Sequence, residues 1–359
     1  MIQHSKKIEY TDLQSEALDK IEDWYKTDSK FYVLGGYAGS GKSTIAKEIK
    51  KRISNCYFVA YTGKAAHVLR EKGVGGASTI HSFLYDYQGK DENGDPVFLL
   101  GDHGLIKEFL LIIDEYSMLS QQVIDDILSK CPKVLFIGDP MQLPPIGSNK
   151  QILRPDFFLD EIHRQAADNP IVKWAHGIRN GNMPKIGLKE DGFEVISMRD
   201  VDAPLMDTVE QVICGKNETR FKMNQAMRKN YGFSEKSKYP VRGDKLICLK
   251  NNHAEGLYNG MIFVSSGSAK DNYNGSYQLN VNGKDYDIWG GDVLGQDPKT
   301  YSHFSRQERF DYAYAITAHK AQGSDFESVL VYDQSWGATK INWLYTAVTR
   351  ARSHCILAI

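Results

Sequence analysis

The sequence is poor in cysteine. Its five cysteines, Cys56, Cys131, Cys214, Cys248 and Cys355, are odd in number and include no Cys-x-x-Cys pair. Neither a disulfide framework nor a zinc cluster is indicated. Long apolar runs are missing as well, and no stretch approaches the roughly 18 residues needed to span a bilayer. The first residues, MIQHSKKIEYTDLQSEAL, are polar and lack the apolar core of a secretory signal, so a soluble, intracellular protein without membrane contact is expected. An excess of one charge is also lacking. With 44 basic and 45 acidic residues the formal net charge is −1, and an anionic polymer could be held only by local concentrations of Lys, Arg and backbone amides. Internal repeats and low-complexity tracts are absent. What remains is a globular composition, 42% hydrophobic and 25% charged, over 359 residues, enough for two domains that each bury a core.

The clearest positive signal is GGYAGSGKST, residues 35–44. Gly36 to Ser43 fits G-x-x-x-x-G-K-[ST], between a strand-like run (Phe31 to Leu34) and a helical pattern (Thr44 to Arg52), which is the context the motif requires. Its glycines let the backbone curl so that amides from Gly39, Ser40, Gly41 and Thr44 and the helix N-terminus face phosphate oxygens. Lys42 then reaches the terminal phosphates, and the Ser43 hydroxyl ligates magnesium. ATP and Mg2+ are the expected cofactors.

About 70 residues on, EFLLIIDEYSM places five apolar residues, Phe109 to Ile113, ahead of Asp114-Glu115. Such a run reads as a buried parallel strand delivering two carboxylates at its C-terminal edge, where α/β sheets bind ligands. Asp114 is expected to hold the magnesium through water and Glu115 to polarise the attacking water. A second acid directly after the first favours hydrolysis over transfer to a small acceptor.

Further stretches follow in a fixed order: YTDLQSEAL, YTGKAAHVLREKG, ASTIHSFLY, FIGDPMQLPPIG, LDEIHRQA, AITAHKAQGSDF and LYTAVTRAR. With these, the chain resembles superfamily 1 helicases of the RecD and phage Dda branch over nearly its whole length. The resemblance implies that Gln14 reads the adenine edge and that Gln142 couples the terminal phosphate to the strand. It puts Arg164 and Arg350 of a second motor lobe on ATP, with Gly323 near the nucleotide. It also implies nucleic-acid contacts by Thr62, Lys64, His67, Thr79, His81, Phe83, Thr317, His319 and Lys320, and 5′ to 3′ movement on single-stranded DNA.

Physical arguments bear on the same residues. A phosphate loop alone hydrolyses slowly, and an arginine finger contributes about 10³ to 10⁵ in rate. Arg350, some 300 residues from Lys42, would act as such a finger from a second lobe, or else make a surface ion pair. If Arg164 and Arg350 close on ATP only when the lobes meet, hydrolysis and cleft opening form one cycle. Pro140, Pro144 and Pro145 restrict the backbone around Gln142, as a sensor loop or an ordinary turn. Phe83 suits either base stacking, worth roughly 1 to 3 kcal/mol per base, or a place in the core.

The expected architecture is α/β, with two RecA-like P-loop lobes built on parallel sheets. The first spans residues 1–84 and 105–154 and the second 155–235 and 311–359. Residues 85–104, with Asn93-Gly94 as a tight turn, read as a β-hairpin insert. Its Phe98 is expected at a duplex fork as part of a strand-separating pin, or packed on the lobe. Residues 236–310 read as short strands of a small β-barrel, SH3-like by the resemblance. The run KSKYPVRGDKLICLK, residues 236–250, has a local net charge of +4 from five basic residues and one Asp. It could track a phosphate backbone or form a solvated face.

The function expected is an ATP-dependent DNA helicase, acting as a monomer on single-stranded DNA and a duplex fork. A translocase that displaces bound proteins without unwinding is the alternative. A P-loop kinase fits less well, given Asp114-Glu115 and the distal arginines.

Overall fold

The structure is a computed structural model. It describes residues 10–71, 73–90, 96–101, 108–145, 153–161, 169–237, 239–249, 251, 256–268, 270–271, 276–281, 283–289 and 310–359.

The apolar runs of the first third become strands β1 (Phe31–Gly36), β2 (Cys56–Ala60), β3 (Ser78–Thr79), β6 (Leu110–Asp114), β7 (Lys133–Gly138) and β8 (Phe157–Leu159) of one parallel sheet, ordered β3-β2-β6-β7-β1-β8. Alternate residues serve opposite faces, as a sheet covered on both sides demands. Leu110 and Ile112 pack with Ile45 and Ile49, whereas Leu111 and Ile113 pack with Ile124 and Ile127. Helices α1 (Asp12–Tyr25), α2 (Lys42–Arg52), α3 (Gly63–Glu71), α4 (Ile80–Leu84) and α5 (Gln121–Lys130) supply those covers. Register brings the functional strand ends together: Gly35 pairs Gly138, and Ile137 pairs both Leu34 and Asp114. The phosphate loop, the acid pair and the loop after Gly138 therefore share one edge of the sheet. The sheet runs on to Leu159, five residues past the expected boundary at 154, because β8 pairs with β1 before the chain leaves.

Between α4 and β6, strands β4 (Tyr85–Lys90) and β5 (Pro96–Leu100) pair only with each other, antiparallel, with Tyr87 opposite Phe98. A backbone bond from Gly101 N to Leu84 O, 2.8 Å, closes the neck of this hairpin. The Asn93-Gly94 turn lies outside the described residues.

The second lobe has its own six-stranded sheet, ordered β18-β11-β19-β20-β10-β9. Its strands are β9 (Lys189–Glu190), β10 (Phe193–Ile196), β11 (Gln211–Cys214), β18 (Ala315–Thr317), β19 (Phe326–Tyr332) and β20 (Ala351–Ala358), and all but β9 run parallel. Helices α6 (Pro170–Arg179), α7 (Asn217–Asn230) and α8 (Lys340–Val348) flank it.

Between β11 and β18 lie two three-stranded antiparallel sheets. One holds β12 (Lys245–Cys248), β13 (Ile262–Val264) and β17 (Phe310–Tyr312), and the other β14 (Lys270–Asp271), β15 (Ser276–Val281) and β16 (Lys284–Trp289). The bridge Ser265–Val281 joins them, and no closed barrel forms among the described residues. Leu246, Cys248, Phe310 and Tyr312 share a core with Leu330 and Ile356, so this insert is continuous with its lobe. A buried ion pair reinforces the junction: Asp244, fully buried, accepts from Arg228 Nε (3.0 Å) and Nη2 (3.1 Å), the Tyr314 hydroxyl (2.8 Å) and Val241 N (2.8 Å). Within the basic run 236–250, Lys245 is not available to a phosphate backbone. It turns inward to the carbonyl of Glu210, and burial pushes its ammonium down to about 8.

Candidate functional site

Gly39 and Gly41 stand at φ +80° and +86°, the left-handed backbone that glycine alone adopts without strain. Between them the chain curls into the start of α2, whose first residue is Lys42. A Cβ on Gly36 would lie 2.6 Å from Ser40 Oγ, so the loop closes only around glycine there. Lys42 Nζ donates to the carbonyls of Gly36 and Tyr37, both at 2.8 Å, which fixes a point charge over the cradle. Gln14 begins α1 in a capping box with Thr11, and its Nε2 reaches Ser40 O at 3.2 Å. The residue expected to read adenine is thereby tied to the phosphate loop itself. Ser43 and Thr44 follow in the first turn of α2. This is a phosphate cradle in geometry and in charge.

Across the sheet edge, Asp114 Oδ1 accepts from Glu115 N at 3.0 Å. Glu115 has φ +59°, the one non-glycine residue with positive φ among those described, a strained backbone of the kind that aims a functional side chain. Its Oε2 is buried without a hydrogen-bond partner among the described residues. Burial, and then the charge of Asp114, raise the Glu115 carboxyl to about 7, against the opposing pull of Arg350 and Lys42. A carboxyl poised there suits a general base. No three His, Cys, Asp or Glu side chains cluster to hold a metal alone among the described residues. Ser43 and Asp114 fit instead a magnesium that completes its shell with phosphate and water oxygens.

The second lobe closes the site through α8 and the strand that follows it. Arg350 is 5% exposed and donates to Thr346 O (3.1 Å), Ser324 O (3.2 Å) and Thr349 Oγ1 (3.3 Å). It is buried, pairs with the part-exposed Asp325 at 4.0 Å, and its field reaches Glu115 on the other lobe. One face of α8 grips the loop after β7: Asn342 Nδ2 donates to Met141 O (3.0 Å), Thr346 Oγ1 accepts from Leu143 N (2.9 Å), and Gln322 adds a bond to Leu143 O (3.1 Å). Gln142, buried, sits inside this grip. Arg164 lies outside the described residues.

A cavity of about 470 Å³ opens between the lobes, and Thr62, Lys64, Thr317, His319 and Lys320 all line it. The structure thus brings together five of the expected strand contacts. Burial lowers the ammonium groups of Lys64 and Lys320, and Lys64 Nζ lies 5.4 Å over the Phe326 ring. The other expected contacts lie elsewhere. Thr79 is buried and caps α4 by accepting from Ser82 N (3.1 Å). Phe83 is half-buried between Tyr57 and Phe109, at 5.8 and 6.2 Å. His67 stacks on Tyr258 of the insert at 6.1 Å. His81 is exposed beside Tyr61, whose ring lines the cavity. Gly323, at φ +69°, faces Ala65 and Thr62 across the seam. Phe98 is 50% exposed on the hairpin, beside Tyr87 at 58%.

Three residues escape sequence reasoning. Tyr345 joins both lobes at the phosphate loop. The Arg179 guanidinium stacks 3.6 Å from the Tyr37 ring. Trp336, 78% exposed, stands at a second cavity of about 360 Å³ that shares Pro144, Pro145 and His319 with the first. An aromatic residue inside an otherwise quoted motif was the available signal for Tyr345; for Arg179 no local signal exists.

Two sheet-built lobes, with a phosphate loop on one and a buried arginine on the other whose charge reaches Glu115, define a two-lobed P-loop nucleotide-binding protein. Residues 9–198, more than half of the chain, match the family described as AAA domain, and residues 312–358 match the UvrD-like helicase C-terminal domain. The chain belongs to that AAA-domain family. It is 26% identical to the ATP-dependent RecD2 DNA helicase of Deinococcus radiodurans over 94% of this chain and 47% of the relative. An uncharacterized mimivirus protein, R530, is 35% identical over 40% of this chain and 35% of its own length. The chain thus spans half or less of the curated relatives it matches. Among solved structures, Bacteroides Pif1 bound to single-stranded DNA superposes with a TM-score of 0.59 at 19% identity, covering 98% of this chain and 93% of that one. Candida albicans Pif1 gives 0.55 at 17%, covering 98% and 94%. These likenesses establish the RecA-like fold. No helix among the described residues is long and apolar enough to cross a membrane.

Proposed function

We propose that the chain is an ATP-driven DNA motor that moves 5′ to 3′ along a single strand and separates duplex ahead of it. The observation that carries this reading is the field at Glu115: its carboxyl is drawn toward ionisation by Lys42 of its own lobe and by Arg350 of the other. The carboxyl lies where charges from both lobes converge, and that set of charges is complete only when the cleft is shut, which makes hydrolysis conditional on lobe position.

In this reading the phosphate loop and Lys42 hold the triphosphate, and Gln14 orients the base. Ser43 and Asp114 would hold magnesium, which would supply Lewis-acid charge neutralisation on the phosphoryl oxygens. Glu115 orients and deprotonates the attacking water, and Arg350 stabilises charge on the transferred group. Gln142, held between the lobes, passes the phosphate state to the neighbouring cavity. A single strand lies there against Thr62, Thr317, His319 and Lys320, with Trp336 as a stacking surface farther along. Arg164 is assigned to the phosphates by the family resemblance alone.

The hairpin serves as the pin. Tyr87, Phe98 and Leu99 stay exposed, at 58%, 50% and 57%, where a structural hairpin would bury them, and an aromatic there can stack on the last base pair of a fork. DNA as the strand and the 5′ to 3′ direction come from the family resemblance. A strand-displacement assay comparing 5′-tailed and 3′-tailed duplexes, with ATP and with a non-hydrolysable analogue, tests the reading. Unwinding of the 5′-tailed substrate with ATP alone is expected. ATP turnover that ignores added strand would reject the motor.

A further inference from the structure

Tyr345 sits on α8, fully buried, on the same face as Asn342 and Thr346. The side chains of those two neighbours bond to the loop after β7. Tyr345 reaches farther. Its hydroxyl donates to Asp139 Oδ2 at 2.7 Å and accepts from the backbone N–H of Ala38 at 3.0 Å. One oxygen of the second lobe therefore joins two separate loops of the first, the phosphate loop and the sensor loop that carries Gln142.

Each partner is committed to this geometry. Asp139 is fully buried, and its other carboxylate oxygen accepts from Met141 N at 2.9 Å, which shapes the turn leading into Gln142. Ala38 is the third residue of the phosphate loop, directly before Gly39. The residue ahead of it is held by both lobes, since the Tyr37 ring lies between Phe158 of β8 (4.5 Å) and His176 of α6 (5.2 Å), with the Arg179 guanidinium of α6 over it. The second lobe thus grips the entry half of the phosphate loop, residues 37 and 38, from outside. The exit half, from Gly41 onward, belongs to α2 of the first lobe. Burial and the neighbouring Asp139 keep the phenol protonated far above neutral pH, so it remains the donor to Asp139 at every working pH.

If the lobes part, the Ala38 N–H and the Asp139 oxygen lose this partner together. Each bond exchanged for water on opening loses a modest net stabilisation, so the hydroxyl favours closure. Because both loops hang on one atom, they can reach their closed positions only together.

We propose that Tyr345 is a positioning residue for hydrolysis: its hydroxyl is the strut through which closure of the second lobe sets the phosphate loop at Ala38 and the sensor loop at Asp139 in a single step. The inference rests on the motor reading for its kinetic consequence, and on geometry alone for its effect on closure.

The test is Tyr345→Phe, which removes one oxygen and keeps the ring in its packing. With saturating single-stranded DNA, kcat is expected to fall tenfold or more while KM for ATP stays within about twofold, since Lys42 and Gln14 bind from the first lobe. Combining Tyr345→Phe with Asp139→Asn should cost little more than the worse single change, the signature of groups acting as one unit. Lobe closure is read independently by energy transfer between dyes on exposed Lys26 and Arg199, introduced as non-canonical amino acids. A non-hydrolysable ATP analogue should close the parent and leave Tyr345→Phe measurably more open.

Parental kcat in Tyr345→Phe, even alongside a dead Tyr345→Ala, would reduce the side chain to packing and overturn the strut, as would independent multiplication of the two single effects. Should the parent itself show no strand-stimulated turnover, the motor reading falls; the dye measurement still decides the strut, and equal closure of parent and variant rejects it.

Discussion

The carboxyl of Glu115 and the guanidinium of Arg350, on different lobes and 235 positions apart in sequence, share one electrostatic environment: the arginine opposes the burial that holds the carboxyl at about 7. At limiting ATP, turnover should therefore rise with pH and level off above about 7, as the base loses its proton. Removing the Arg350 charge should move that limb to higher pH. A pH profile of kcat/KM for the parent and for the residual activity of Arg350→Ala checks both.

Stability should move the opposite way. The folded chain keeps the Glu115 proton to about pH 7, whereas an unfolded glutamate releases it near ~4.3. Between those values the folded state binds more protons, so stability falls as pH rises. Glu115→Gln is expected to lose turnover yet retain bound ATP. Its melting temperature should exceed the parent's by about 2 to 4 °C at pH 8, a gap that closes toward pH 5. Calorimetry at the two pH values reads the difference.

Binding and chemistry should separate by lobe. Lys42→Ala removes the cation bonded to the loop carbonyls and should abolish measurable binding of a fluorescent ATP analogue. Arg350→Ala leaves the phosphate loop intact. It should bind the analogue normally while strand-stimulated turnover drops about 10³-fold or more. Equal binding defects in both variants would contradict the division.

Phe98→Ala, and separately replacement of residues 90–96 by a short glycine bridge, should impair duplex unwinding while sparing ATP hydrolysis and movement on single strands. If the hairpin is the pin, the aromatic pair Tyr87–Phe98, 5.7 Å apart, would replace part of the roughly 1.4 kcal/mol of stacking lost per base-pair step. Unwinding at the parental rate in both, with unchanged melting temperature, would move the fork contact to the β insert.

Asp244→Ala should lower unfolding free energy by about 3 to 5 kcal/mol, because it strands the buried Arg228 charge together with the donors Tyr314 and Val241. Urea titration should show one shifted transition for the second lobe and its insert, since they share a core.

The sequence made most of the first lobe legible because its chemistry is local. A strand, a glycine turn and a helix suffice to place Lys42, and one apolar run places Asp114 and Glu115. The βαβ series and the hairpin strands follow from patterns within ten residues of each other. What stayed hidden depends on contacts between distant segments. Nothing near Lys245 announces that it points at Glu210, and nothing near Thr79 distinguishes a helix cap from a strand contact. Tyr345 and Ala38 are 307 positions apart, so only folding reveals that they meet. The first-lobe boundary shifted for a similar reason: β8 has three residues and no periodicity of its own, and its pairing with β1 alone assigns it.

The closed neck of the hairpin has a consequence for evolution. Leu84 and Gly101 meet at 2.8 Å, so the chain leaves and re-enters the first lobe at a single point, and β4 and β5 add nothing to the sheet that carries the nucleotide chemistry. Beyond Tyr85, whose hydroxyl donates to Asp126 of α5, the hairpin strands can change length or side chains without altering the pairing of the nucleotide-binding sheet. The hairpin is an exchangeable bit on a fixed chuck: selection can reshape it while leaving the nucleotide-binding sheet untouched.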